Sequence, residues 1–119
     1  MTTNRAATAK VLVVEDVAVI RLATADMIEE IGLETAQAGD GRQALELLRK
    51  DDTITILLTD LGLPGMSGQE LVEEALKLRP DLKIVIASGR KESVAGAAGQ
   101  VTNLLKPFDM QQLRKALEI

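Results

Sequence analysis

The chain has 119 residues, and 14 Lys plus Arg against 18 Asp plus Glu give a formal net charge of −4. This length suits one domain with one buried core, and a mildly acidic balance argues against nucleic-acid binding. With no Cys, His, Trp or Tyr and a single Phe, the chain cannot form disulfides, Cys- or His-ligated metal sites, Ser-His-Asp triads or phosphohistidine, and it offers little for stacking on bases or sugars.

Residues 1–9 read as a flexible lead-in. They lack the apolar stretch of a signal peptide. Lys10 to Val14 (KVLVV) is a short, branched, continuous apolar run, as in a strand buried on both faces. Glu15-Asp16 stops it. Val17 to Ile31 places Ile20, Ala23, Met27, Ile28 and Ile31 at helical spacing, and Gly32 is a C-terminal stop. Leu33 to Ala38 is a weaker strand. After the Asp40-Gly41 turn, Ala44, Leu45, Leu47 and Leu48 mark a second helix to about Lys50. Thr53 to Thr59 (TITILLT) is a buried strand closed by Asp60.

A loop holding Pro64 and Gly65 follows. Ser67 with Glu70 three residues on is a capping-box pattern, opening a helix that ends by Arg79, before Pro80. Lys83 to Ala87 (KIVIA) is the fourth strand. Glu92 to Gln100 is a possible short helix, weakened by Gly96 and Gly99. Val101 to Leu105 is the fifth strand, and Asp109 caps a last helix to Ile119. Strands alternating with helices predict one α/β domain, a doubly wound parallel sheet covered on both faces. No run approaches the ~20 apolar residues of a membrane-spanning helix, and a cytoplasmic location is the expectation.

Such sheets bind ligands at the carboxyl ends of their strands. Glu15-Asp16 ends the first strand, Asp60 the third, Ser88 the fourth and Lys106-Pro107 the fifth. Three carboxylates brought to one edge repel unless one is protonated or a cation neutralises them. Oxygen ligands without His or Cys suit Mg²⁺. Asp60 can then attack a phosphoryl group as a carboxylate nucleophile, with the Lys106 ammonium and Ser88 hydroxyl stabilising the transferred oxygens.

With V-L-V-V-E-D at 11–16, T-D-L-G-L-P-G-M-S-G at 59–68, A-S-G at 87–89 and L-K-P-F at 105–108, the chain resembles the receiver domain of two-component response regulators over residues 10–119. The resemblance implies a flavodoxin-like (βα)5 fold with strand order 2-1-3-4-5. It implies Asp60 as phosphoacceptor, Mg²⁺ bound by Asp16, Asp60 and the Gly62 carbonyl, and Glu15 acting through water. Ser88 would be the switch hydroxyl, Lys106 the phosphate-binding lysine, and the Lys106–Pro107 bond cis. Partners would be a histidine kinase or phosphotransfer protein and a downstream output protein, with no nucleic acid or membrane. Self-phosphorylation and self-dephosphorylation at Asp60 would be the only turnover. Whether the domain stands alone or comes from a hybrid kinase stays open.

One departure is visible. Receivers commonly carry Tyr or Phe three residues before the lysine, where this chain has Asn103. The relay to the far face must then differ or be weak, with the Gly96- and Gly99-containing segment as a candidate responder. Gly62 and Arg90 are candidates for tuning water access to the phosphoryl group. Two other functions fit the sequence less well. A small metal-dependent phosphatase often has an acid two residues past its nucleophile, where Gly62 stands. A receiver-like scaffold without phosphorylation would leave the filled acidic and basic positions unexplained. Gly39 to Ala44 fits G-x-G-x-x-A of a dinucleotide site, but it follows the weakest strand and leaves Asp16 and Lys106 without a role, so it reads as a turn.

Overall fold

The computed structural model describes residues 9–89 and 100–118. Five strands, β1 Lys10–Val14, β2 Glu34–Ala38, β3 Ile54–Asp60, β4 Lys83–Ser88 and β5 Val101–Leu105, form one sheet in the order β2-β1-β3-β4-β5. All neighbouring pairs are parallel. The four helices among the described residues are α1 Ala18–Ile31, α2 Gly41–Lys50, α3 Gly68–Leu78 and α4 Met110–Leu117. The lead-in lies outside the described residues except for Ala9, as does the expected Glu92 to Gln100 helix except for Gln100.

Side chains alternate across the sheet because successive Cβ atoms point to opposite faces. Leu12, Val14, Leu57, Ile84 and Ile86 pack with Ala44, Leu45 and Leu48 of α2 and Leu71, Val72 and Ala75 of α3. Val11, Val13, Ile56, Leu58, Val85 and Ala87 pack with Ala25 and Ile28 of α1 and Leu113, Ala116 and Leu117 of α4. The continuous apolar runs are thus explained by burial on both faces. A bulge interrupts the alternation once. The register of β1 on β3 passes from Lys10↔Ile54 to Val11↔Ile56, so Thr55 is skipped and Ile54 joins the same core as Leu57.

The helix ends follow local chemistry. Ser67 and Glu70 form the expected capping box on α3. Asp109 and Gln112 form another on α4. Asp40 caps α2 by accepting from the Gln43 amide at 2.8 Å. The Gly39-to-Ala44 stretch is therefore a turn and a helix cap. Gly32 ends α1 at φ 107°, with its N–H on Glu29 O and the Leu33 N–H on Ile28 O.

The buried face of α1 differs from the expected stripe. Ile20 and Ala23 are exposed, and Thr24, Ala25 and Ile28 face the core. The apolar residues of its first two turns stand instead toward solvent and a groove beside the sheet edge.

The amino end of the sheet is tied by charge. Lys10 Nζ lies 2.7 Å from Asp51 Oδ2. The Asp51 carboxyl falls from 3.8 to about 2 because it accepts from Lys10 first and from the Thr53 hydroxyl and amide next. Arg79, just past α3, donates to Ile54 O at 2.6 Å and Asp52 O at 3.3 Å.

Candidate functional site

Strand β1 has β2 on one side and β3 on the other, so the chain reverses direction across the sheet between β1 and β3. A crevice forms at the carboxyl ends of the strands on either side of such a point. Glu15 and Asp16 leave β1 there, and Asp60 ends β3. One carboxylate oxygen from each of Glu15, Asp16 and Asp60 lies within 4.8 Å of the others. Glu15 is buried, Asp60 is half-buried and Asp16 is exposed.

Lys106, the residue after β5, reaches across two strands to this cluster. Its Nζ lies 3.3 Å from Glu15 Oε1 and 3.4 Å from Asp60 Oδ2. Its backbone N–H donates to Ser88 O at 2.7 Å, extending the β4–β5 pairing by one bond. The Lys106–Pro107 bond is cis. Ser88 ends β4, buried, one residue beyond the Asp60↔Ala87 pair.

The Asp60 carboxylate is oriented from both sides. Oδ1 accepts from the Leu61 N–H at 2.8 Å, and Oδ2 faces Lys106. Its backbone carbonyl accepts from the fully buried Thr59 hydroxyl at 2.9 Å. Three carboxylates beside one ammonium leave the cluster net negative. The all-oxygen donor set and its exposed side fit a hard divalent cation that keeps several waters.

Gly62 is exposed two residues past Asp60, and a Cβ there would meet nothing within 4 Å. Asn103 is exposed on β5. Arg90 lies outside the described residues, as do Gly96 and Gly99.

Two site features are not apparent from the sequence. A Cβ on Gly68 would fall 2.5 Å from Asp60 O and 2.6 Å from Leu61 Cα. The Gly68 N–H also donates to Leu61 O at 2.9 Å. The first residue of α3 therefore packs backbone to backbone against the phosphoacceptor candidate. Arg21 of α1 donates from Nη1 to Glu15 O at 2.9 Å. The only sequence signal was a lone arginine among the apolar residues opening that helix.

The model of the response regulator receiver domain matches residues 11–118. The chain belongs to the receiver-domain family. It is 30% identical over 113 residues to sporulation initiation phosphotransferase F of Bacillus subtilis (strain 168), covering 92% of this chain and 90% of that protein. It is 34% identical over 115 residues to chemotaxis protein CheY of Thermotoga maritima, covering 91% of this chain and 93% of that protein. The solved structure of the chemotaxis response regulator CheY4 of Vibrio cholerae superposes with a TM-score of 0.83 at 28% identity, covering 93% of this chain and 97% of that one. The chain is a receiver domain of two-component phosphorelay signalling. Receiver domains work with histidine kinases or phosphotransfer proteins. No helix among the described residues is long and apolar enough to cross a membrane.

Proposed function

We propose that Asp60 is the phosphoacceptor of this receiver and that the domain spans residues 10–119. The observation that carries the reading is the convergence of Glu15, Asp16 and Asp60 with the Lys106 ammonium 3.4 Å from Asp60 Oδ2. These 119 residues hold no His, so the phosphoryl group must come from a donor outside this domain.

Asp16 and Asp60 would hold Mg²⁺, with the Gly62 carbonyl as a further ligand and Glu15 acting through a bound water. The ion would neutralise charge on the phosphoryl oxygens. The Asp60 carboxylate attacks phosphorus, a new O–P bond forms, and the donor's P–N bond breaks with its electron pair leaving on the imidazole. No protein base is needed, because Asp60 attacks as the anion. The Leu61 N–H fixes the carboxylate's orientation. Lys106, released from sharing with Glu15, pairs with the phosphoryl oxygens, and Ser88 supplies a hydroxyl to them.

A protein donor also fits the surroundings. Val17, just before α1, and Val19, Ile20 and Leu22 on it expose apolar surface beside the carboxylates. Val19, Ile20, Ala23, Met27 and Phe108 line a groove of about 510 Å³ that reaches Asp60 and Lys106. Output would pass through a protein contact whose relay does not use an aromatic at position 103.

Intact mass after incubation with a small acyl phosphate tests the chemistry. Wild type with Mg²⁺ is expected to gain the mass of one phosphoryl group. Chelation of Mg²⁺, or Asp60→Asn, should abolish the gain. Labelling that persists in Asp60→Asn would reject Asp60 as the acceptor.

A further inference from the structure

We propose that Arg21 is a positioning residue for the acidic trio, holding the Glu15–Asp16 peptide in the orientation that lets these carboxylates serve a divalent cation. The inference rests on the reading that the trio holds Mg²⁺. Glu15 is the hinge between β1 and the loop to α1, and every polar group on it is held. Its N–H donates to Ala38 O at 3.1 Å. Its Oε2 accepts from the Val17 N–H at 3.2 Å, and its Oε1 faces Lys106. Its carbonyl is held by Arg21 Nη1 at 2.9 Å.

That last bond governs Asp16. The Glu15 carbonyl and the Asp16 N–H belong to one rigid peptide plane. Fixing the carbonyl fixes the Asp16 N–Cα axis, and the Val17 N–H on Glu15 Oε2 holds the far side of Asp16, so its side chain leaves a backbone held at both ends. The Arg21 backbone N–H makes the first bond of α1, to Val17 O at 2.9 Å, and its side chain has one further anchor, Nε donating to Gln37 Oε1 at 3.3 Å. One planar guanidinium thus spans from the end of β2 to the end of β1. A lysine has a single nitrogen on a flexible stem and cannot span both. Groups that orient metal ligands typically change metal affinity about 10- to 100-fold when removed.

Charge alone predicts the opposite sign. A guanidinium beside a cation site repels the cation, so its removal should tighten Mg²⁺ binding. The two roles are therefore separable by the direction of one measurement. The chain lacks Trp and Tyr, so calorimetric titration with Mg²⁺ is the suitable readout, paired with urea unfolding in the absence of the ion.

Arg21→Met and Arg21→Lys are each expected to weaken Mg²⁺ binding about tenfold. Gln37→Ala, which removes only the exposed anchor, should weaken it less and leave the urea midpoint at the wild-type value. Should Arg21→Met fail to fold, Arg21→Lys and Gln37→Ala carry the test. Equal or tighter binding by Arg21→Met, or full wild-type affinity in Arg21→Lys, would overturn the positioning role. Wild type that binds no Mg²⁺ would overturn the reading of the trio, and the role of Arg21 with it. Wild-type binding with unaltered variants would overturn Arg21 alone.

Discussion

Gly68 carries a burden that its position at the start of a helix conceals. In a helix interior Ala is favoured over Gly by about 1 kcal/mol, so Gly68→Ala looks stabilising on propensity alone. The new methyl would meet Asp60 O at 2.5 Å and Leu61 Cα at 2.6 Å. Both are backbone atoms and cannot rotate away. Overpacking of this kind costs about 1–3 kcal/mol, which outweighs the propensity gain. Gly68→Ala should lower the urea midpoint and slow phosphorylation, because relief of the clash displaces Asp60. An unchanged midpoint would show that the loop yields freely. The sequence signalled Asp60, Asp16 and Lys106 through their places at strand ends. Gly68 and Arg21 act through backbone atoms of other residues, and such contacts leave no trace in composition or periodicity.

Among the elements, the strands were the most legible. Continuous apolar runs such as KVLVV and KIVIA correspond to β1 and β4 because both of their faces are covered. Helix α1 was legible in extent and not in orientation. Its apolar residues outnumber those the core takes up, and Thr24 faces inward, so periodicity alone could not choose the buried side. Element ends depend on local ion pairs as well. Asp51, held by Lys10 and Thr53, ties the start of β1 to the lead-in of β3. A carboxyl depressed from 3.8 to about 2 in the folded chain binds its proton more readily when unfolded. Its stabilising effect is complete above its unfolded value and fades as pH falls toward about 2. Asp51→Asn should therefore be less stable than wild type at pH 7, and the difference should shrink across that acid window in urea titrations. A constant difference down to pH 2 would contradict the pair's role.

For the molecule as a whole, the proposed Mg²⁺ site at the acidic cluster would link folding to ion binding. A ligand that binds only the folded state adds about 2.7 kcal/mol at about a hundred times its Kd. For a domain of this size that corresponds to a rise in Tm on the order of 10 °C, reversed by chelation. Asp16→Asn should behave in the opposite way. It relieves like-charge repulsion among Glu15, Asp16 and Asp60, so the ion-free variant should melt above ion-free wild type and gain little from Mg²⁺. Calorimetric melts with and without the ion would show both shifts. An Asp16→Asn variant with the full Mg²⁺ response would remove Asp16 from the ligand set.

The place of β3 at the middle of the sheet has a consequence in time. Ile56, Leu57 and Leu58 lie between β1 and β4 and beneath helices on both faces. Backbone hydrogens in such a strand exchange with solvent only when the whole domain opens, whereas edge elements open locally and more often. Asp60 therefore ends the segment that is last to let go. Fraying of β2 or α4 can come and go while the Asp60 carboxylate keeps its place. If Asp60 is the phosphoacceptor, as proposed, the persistence of its phosphoryl mark would be set by water reaching the acyl phosphate, and not by breathing of the strand that carries it.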